Sequence, residues 1–200
     1  MTLASYNPFI GQHIRTHVDG ITADRGYIAH YIIPAAKAIA AAADYVLAAT
    51  ELTAQEQEIT EGITQPPTPR VLSITGSATT LAGNAVLIEG TDLAGAGLTE
   101  TITLTTGNDT VAGAEAFAVV TKITLPALDE PDGETISVGL SDAFGLPYKL
   151  PYDSVLKIYN NATETTVDTG SSFDASDLAA NYIKPTAALS GHQVDVYLIV

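Results

Sequence analysis

Residues 98–105 read LTETITLT, an alternation that puts Leu98, Ile102 and Leu104 on one side and threonines on the other. Because successive side chains of a β-strand point to opposite faces, this pattern predicts a half-buried strand with a solvated threonine face. Comparable short segments recur, separated by turns rich in Gly, Asn, Asp and Pro. They lie at residues 71–75, 85–89, 98–105, 117–125, 135–140, 155–159, 165–168 and 194–200. About eight strands predict a mainly β fold, with a β-sandwich or jelly-roll-like body over residues 71–200.

The first 62 residues differ chemically from the rest and predict an extended N-terminal arm that docks on other subunits. Residues 1–40 hold three basic and two acidic side chains, a net charge of +1, which leaves −16 for the remaining 160 residues. The cores of protein interfaces favour Tyr, Phe and Arg. We therefore predict capsid or inter-subunit contacts through Tyr6, Phe9, His13, Arg15, His17, Arg25, Tyr27 and Tyr31, with Arg70 further along the chain.

Two segments define the internal boundaries of this arm. Residues 34–50, PAAKAIAAAADYVLAAT, place a proline at a suitable first helical position ahead of many alanines, which predicts a short helix over about residues 35–49. The run Tyr45-Val46-Leu47 would equally begin a strand, because short apolar runs suit both states. Residues 63–70, ITQPPTPR, contain three prolines that remove backbone donors, and they predict a hinge between the arm and the body.

Composition limits the partners that the chain can have. The formal net charge of −15 would repel a phosphate backbone, so nucleic acid is not an expected partner. The sequence has no cysteine, which excludes disulfides and thiolate metal sites. It contains no run of 18 apolar residues and no apolar stretch near Met1 that suits a signal peptide. We therefore expect a chain without a membrane segment, made in the cytoplasm.

Candidate reactive groups are few and poorly arranged. His13 and His17 have the spacing of two ligands on one helix face, but Gly11 and Gly20 make a stable helix there doubtful. The loop LDEPDGE, residues 128–134, offers carboxylates without the spacing of an EF-hand, which favours a solvated acidic turn. No Gly-x-Ser-x-Gly motif, which would supply a serine nucleophile, lies beside His192. We predict that the protein is not an enzyme and carries no cofactor or metal.

Several segments, taken in order, resemble a family of small structural proteins of tailed phages, the head decoration or auxiliary capsid proteins. Each segment alone is a common strand-and-turn pattern, and together they span about residues 62–200. They are GITQPPTPR (62–70), VLIEGT (86–91), LTETI (98–102), FAVVTKITLP (117–126), GLPYKLP (145–151) and VDVYLIV (194–200). Relatives tend to have Pro-Asp where this chain has Pro66-Pro67, and the His-rich arm has no counterpart among them.

The resemblance implies a virion protein on the outer surface of the phage head. Such a protein binds the major capsid protein and its own copies, commonly as a trimer, and stabilises the shell. Independently of the resemblance, the acidity suits the outer face, because an inner face would meet packaged DNA.

Two alternatives remain open at the level of sequence. Exposed tyrosines such as Tyr148, Tyr152 and Tyr159 would form a sugar platform on a tail, fibre or head-fibre module that binds a host receptor or glycan. A cell-surface β domain is a weaker alternative, because the expected signal peptide is lacking.

Overall fold

The computed structural model of the chain describes residues 13–15, 17–24 and 26–200. Over these residues the fold is mainly β, with a single 3-10 turn at Thr79–Leu81. The strands in chain order are β1 (His13–Arg15), β2 (Thr22–Asp24), β3 (Ile28–Ile33), β4 (Ala42–Glu51), β5 (Gln57–Ile59), β6 (Arg70–Gly76), β7 (Ala85–Thr91), β8 (Gly97–Thr103), β9 (Thr110–Phe117), β10 (Val119–Leu125), β11 (Thr135–Gly145), β12 (Val155–Asn160), β13 (Thr163–Thr165), β14 (Tyr182–Ile183) and β15 (Val194–Ile199).

Two antiparallel sheets enclose the larger hydrophobic core. One sheet has the order β5-β10-β7-β8. In the other, β11 pairs with β6 along one edge and with β4 and β14 along the opposite edge, and β9 follows β6. Leu72 and Val138 from this sheet meet Ile88 and Ile123 from the first, and all four are buried. The prediction of a mainly β, sandwich-like body is therefore confirmed.

The alternation in LTETITLT has the predicted structural effect. Ile102 and Leu104 are buried in the larger core, Leu98 is half-buried, and the threonines of the opposite side are exposed. Glu100 shares the inward side with Leu98 and Ile102, so this strand points one carboxylate toward the interior.

A second hydrophobic core lies beneath the sheet of order β13-β12-β15-β3. Val194, Val196 and Leu198, the inward side chains of β15, are fully buried in it. The strand β11 connects the two cores, because its Val138 belongs to the larger core and its Phe144 to the smaller one. The two halves of the molecule therefore share one continuous strand.

The predicted helix over residues 35–49 is wrong. The alternative, a strand that includes Tyr45-Val46-Leu47, is the structure that forms. Residues of β4 pair with β11 from Thr135↔Glu51 to Leu140↔Ala42. Gly139 permits this approach, since a Cβ there would clash with the backbone carbonyl of Ala42. Pairing and burial of Val46 and Leu47 outweigh the weak helix preference of the alanines.

The predicted division into an arm (1–62), a hinge (63–70) and a body (71–200) is also wrong for the described residues. The strand β3 pairs with β15 along its whole length, and Ile33 is buried in the smaller core. The strands β4 and β5 pair with β11 and β10. These pairings give the backbones of β3, β4 and β5 hydrogen-bond partners in later strands, so this part of the presumed arm belongs to the body.

The proline-rich segment before β6 is packed and not a hinge. Pro66, Thr68 and Pro69 are buried. The side chain of Gln65 accepts a hydrogen bond from the backbone N–H of Val120 at 2.8 Å and donates one to its carbonyl at 2.9 Å. The prolines make regular pairing impossible, and these contacts fix the segment against β10 instead.

Arg70, at the start of β6, is completely buried, which makes its predicted role as a surface contact wrong. Its Nε donates a hydrogen bond to the carbonyl of Ser141 at 3.0 Å, and Nη2 donates to the same oxygen. Nη1 donates to the carbonyl of Ile39 at 3.0 Å. Burial lowers the pKa of Arg70 to about 10, and the nearby Asp142 carboxylate opposes that shift. The guanidinium therefore stays charged at neutral pH and joins three chain segments.

We predict that Arg70→Ala lowers the free energy of unfolding by about 3 kcal/mol or more, because it leaves two carbonyls without their charged donor in a closed interior. Urea denaturation at neutral pH measures the effect. The matched control is Lys122→Ala, which removes a half-buried cation on the sheet surface that pairs with Glu58 and Glu89, and it should cost less than about 1 kcal/mol. Equal losses for the two variants would contradict the structural role given to Arg70.

Candidate interaction surface

Those sequence-predicted contact residues that the structure describes lie in different surroundings. His13 and Arg15 lie in β1, which pairs only with β2 among the described strands, and His17 is exposed after it. The backbone of Tyr27 exchanges hydrogen bonds with Val200. Tyr31 is half-buried on the inward side of β3, where burial raises its pKa and Thr68 hydrogen-bonds its hydroxyl. The predicted contacts Tyr6, Phe9 and Arg25 lie outside the described residues.

The outward face of the sheet β13-β12-β15-β3 presents a row of aromatic rings. His30 of β3 stacks on Tyr197 of β15, with ring centroids 4.3 Å apart and planes 6° from parallel. Tyr159 of β12 meets Tyr197 edge to face at 6.1 Å. The three side chains come from three neighbouring strands and lie opposite the buried valines of β15. The strand alternation thus places one face in the core and the aromatic row on the surface.

Charged groups on this outward face are paired with one another. His30 Nε2 lies 2.8 Å from the Asp195 carboxylate. Lys157 Nζ lies 2.9 Å from the Glu164 carboxylate, and that partner raises the pKa of Lys157. The face therefore combines aromatic area with two carboxylates that each have a polar or charged partner.

An open groove of about 630 Å³ adjoins the same face. Its lining is mostly apolar or aromatic and includes Ile28, Tyr148, Leu150, Pro151, Tyr152, Ile199 and Val200. Ile28 and Ile199 are paired across β3 and β15 and belong both to the groove and to the outward face. They are 69% and 39% exposed, and Tyr152 is 65% exposed. Large apolar side chains this exposed and this close together make this region a candidate interaction surface.

Two polar side chains of the groove, those of Ser154 and Lys149, already have partners. Ser154 Oγ donates a hydrogen bond to the carbonyl of Ile199 at 2.7 Å, and Lys149 Nζ donates to the carbonyl of Ser176 at 2.5 Å. The backbone N–H of Ile199 donates to the carbonyl of Ser154. What the groove offers to a partner is chiefly apolar area. We call the groove and the outward face of the sheet, together, the apolar docking surface.

A cluster of carboxylates lies where β8 meets β9. Glu100 accepts hydrogen bonds from the backbone N–H groups of Ala114 and Glu115. Gly113 leaves room for this contact, since a Cβ there would clash with the Glu100 carboxylate. Burial raises the pKa of Glu100. The Glu100 side chain thus links β8 and β9, which are edge strands of the two large sheets. This contact removes its carboxylate partly from water, which is unfavourable for the charged form.

Glu115 is the most perturbed acid of this cluster. Burial raises its pKa to about 7, and the charges of Asp177, Glu100 and Asp174 add to the shift. The Oε2 atoms of Glu100 and Glu115 are buried and accept no hydrogen bond from the described part of the chain. The charged form of Glu100 therefore disfavours ionisation of Glu115. Nothing in the cluster resembles a nucleophile and base in contact.

The acidic loop 128–134 closes on itself. Glu134 accepts hydrogen bonds from the backbone N–H of Asp132 at 2.7 Å and from the hydroxyl of Thr80 at 3.0 Å, and these bonds lower its pKa. Over residues 13–15, 17–24 and 26–200, no three His, Asp or Glu side chains converge in a way that could hold a metal ion. In the same residues, no helix has the length and apolar character needed to cross a membrane.

Sequence reasoning pointed to part of the docking surface and missed the rest. Tyr148 and Tyr152, proposed above for a sugar platform, do line the same groove, whereas Tyr159 lies in the aromatic row. The contribution of Ile28 was missed because strand β3 was assigned to the arm. The signal was the alternation in residues 28–33, IAHYII, which matches the alternating exposure observed.

Comparison with known proteins identifies no relative. The chain matches no protein-family model, and neither a curated protein nor a solved structure matches it. The assignment of function therefore depends on the residues and on their geometry.

We predict that Glu115→Gln stabilises the protein at alkaline pH. In the folded state the pKa of Glu115 is about 7, above the ordinary value of 4.5. The stability that the protonated side chain contributes is therefore fully present below about pH 4.5 and is lost as the pH rises through 7. After allowance for the partial exposure of Glu115, the free energy of unfolding of the variant should exceed that of the unmodified chain by about 1–2 kcal/mol at pH 8 and by little at pH 4.5. Urea denaturation at the two pH values measures this.

The control for this experiment is Glu61→Gln, a change at an exposed loop residue. It should alter the free energy of unfolding by less than about 0.5 kcal/mol at either pH. A gain for Glu115→Gln that is the same at pH 4.5 and pH 8 would contradict the proposed origin of the shift.

Proposed function

We propose that the protein is a structural component of a tailed-phage virion that decorates the outside of the capsid. It binds major capsid protein subunits and its own copies, with a trimer as the expected assembly. The observation that carries this proposal is the apolar docking surface, where Ile28, Tyr152 and Ile199 are exposed beside an open groove. The resemblance of residues 62–200 to head decoration proteins gives the proposal its biological setting.

The chemistry of the docking surface suits a protein partner. Interface centres combine desolvated aromatic and aliphatic anchors with a polar rim, and the aromatic row with its paired charges provides both. Because Ser154 and Lys149 already hydrogen-bond to backbone carbonyls, these two side chains are less available to the hydroxyls of a sugar. Apolar side chains of another protein match it better.

The charge of the chain supports an external position. At −15 the molecule would be repelled by packaged DNA, and the same charge limits non-specific association between free copies. Repetition over a symmetric shell then lets modest individual contacts add up to a stable coat.

A second candidate function is the binding of a host receptor or glycan on a tail, fibre or head-fibre module. Tyr148 and Tyr152 line one groove, and Tyr152 is well exposed, which gives a saccharide an aromatic ring to stack on. Copy number separates the two candidates, since decoration requires many copies per particle and a fibre module only a few.

We predict that Ile28→Ser combined with Tyr152→Ser weakens binding to capsids assembled without this protein by about tenfold or more, because it removes two exposed apolar anchors. Co-sedimentation of purified protein with such capsids measures the binding. The matched control is Val119→Ser, which replaces a 42% exposed apolar residue in the half of the molecule that lacks the groove. It should bind like the unmodified chain.

Equal binding by the double variant and the control would show that the docking surface does not take part in capsid binding. Failure of the unmodified chain to bind any capsid would refute the function itself. Truncations intended to test the N-terminal residues must end before Ile28, because deletion of β3 would expose the smaller core.

A further inference from the structure

Strand β3 forms one edge of the sheet β13-β12-β15-β3, and within residues 13–15, 17–24 and 26–200 its only paired neighbour is β15. Next to this ladder, the backbones of Tyr27 and Val200 exchange two hydrogen bonds, at 3.0 and 2.9 Å. Because bonded and non-bonded pairs alternate along an antiparallel ladder, every second residue counted from Tyr27 bonds to β15. The intervening residues direct their backbone N–H and C=O groups away from β15. They are Ile28, His30 and Ile32.

The edge of β3 lacks the sequence features that usually prevent strands from pairing. Charged residues, prolines and bulges protect the edges of many sheets. Residues 28–33, IAHYII, contain no Asp, Glu, Lys, Arg or Pro, and their ladder with β15 runs without a register shift. Ile28, His30 and Ile32 are all exposed. An edge of this kind can add a further strand to the sheet through backbone hydrogen bonds.

The other edge strands of the described chain are charged, short or covered. β2, β4, β5, β8, β9 and β13 each contain an acidic residue, β1 contains an arginine, and β14 has two residues. The backbone N–H of Thr64 donates to the carbonyl of Val46 in β4, and the Glu100 carboxylate occupies the edge of β9. The six residues of β3 therefore form the one uncharged edge of comparable length in the part of the fold that the structure describes.

A second copy of the chain fits this edge, because the edge is complementary to itself. When two β3 strands run antiparallel about a two-fold axis at His30, Ile28 of each copy lies opposite Ile32 of the other. The three outward residues then form three pairs that each exchange two hydrogen bonds. An axis one residue closer to the end of β3 would place Ile28 opposite Pro34, which has no N–H to donate. The axis at His30 thus pairs every outward group of β3.

The charge around β3 permits this contact although the whole chain is acidic. Residues 26–40 contain Lys37 and no Asp or Glu. On the neighbouring strand β15, Asp195 lies 2.8 Å from His30 Nε2 and accepts hydrogen bonds from Gln193 at 3.0 Å. Repulsion between the two acidic bodies acts over longer distances, and salt screens it beyond about 8 Å at physiological ionic strength. Local charge therefore does not oppose the pairing of two β3 edges.

We propose that two copies of the chain associate through antiparallel pairing of their β3 strands, which joins two four-stranded sheets into one. The contact packs the exposed side chain of Ile28 beside Ile32 of the second copy and brings the two aromatic rows together at His30. A two-fold contact joins chains in pairs, so on a shell of trimers it links one trimer to another. The inference concerns the purified chain and does not depend on the capsid assignment.

Single cysteines test the register, because the sequence has no cysteine of its own. The two copies of His30→Cys meet on the axis, where the Cα atoms of a bonded pair are about 5.5 Å apart, a distance that a disulfide spans. On mild oxidation this variant should form disulfide dimers, and so should a mixture of Ile28→Cys and Ile32→Cys chains.

Ile28→Cys alone is the matched control for the mixture. Its two copies lie four residues apart along the ladder, about 13 Å, so it should cross-link at least about tenfold more slowly. Equal rates for the control and the mixture would overturn the proposed register. Failure of His30→Cys to form a disulfide dimer would overturn the contact itself.

Sedimentation distinguishes backbone pairing from contact between side chains. The unmodified chain should show monomers and dimers over a range of concentrations. Ile32→Pro removes an N–H that β15 does not use, so it should weaken the dimer by about tenfold or more. Ile32→Ala, which keeps the N–H, is the control and should have a smaller effect. If circular dichroism shows that the proline variant is unfolded, the cysteine experiment decides.

Three results of the sedimentation experiment would contradict the proposal. They are a monomer at all concentrations, trimers without dimers or hexamers, and a dimer that a folded Ile32→Pro variant retains unchanged. Because both experiments use the purified chain without capsids, their failure is distinguishable from failure of the proposed function.

Discussion

The buried guanidinium of Arg70 is the contact on which the connection between the two halves depends. Leu140 pairs with Leu72 and Phe144 pairs with Arg70, so β11 advances four residues while β6 advances two. The strand β11 must therefore bulge between these two pairs. Arg70 donates twice to the carbonyl of Ser141, inside the bulge. The bulge is the point at which β11 leaves one core for the other, and a rigid, always-charged donor holds it.

The same contact explains why the segment before β4 lies where it does. Arg70 also donates to the carbonyl of Ile39, and the backbone N–H of Ala41 donates to the Asp142 carboxylate at 3.2 Å. These bonds bring the chain to β11 just before β4 begins. An alanine-rich sequence that would favour a helix in isolation is thereby presented to a strand edge, and the ladder with β11 determines its conformation.

The parts of the fold that were predictable are those in which one strand carries its own pattern. LTETITLT and VDVYLIV alternate clearly and form β8 and β15, as predicted. By contrast, β9 reads TVAGAEAF, where Gly, Ala and Glu give little strand preference, and it forms because β6 supplies a partner. The burial of Arg70 was not predictable either, since an arginine beside prolines has the composition of a surface loop.

The candidate site was predictable only in fragments, for a related reason. Tyr148 and Tyr152 are close in sequence, but Ile28 and Ile199 come from opposite ends of the chain and meet through the register of β3 with β15. No local sequence pattern indicates a surface that forms only when two distant strands pair. Assigning β3 to an arm removed one wall of the groove from consideration.

The position of the groove also constrains how the chain can use it. Its walls are β3, the last strand β15 and the segment 148–154, so an occupant would contact strands that are far apart in the sequence. Binding there should reinforce the pairing of β3 with β15, because an occupant in contact with both strands favours the paired arrangement. Stability of the smaller half and occupation of the groove are therefore coupled. A partner that fills the groove would stabilise that half of the molecule, and unfolding of β3 would abolish the site.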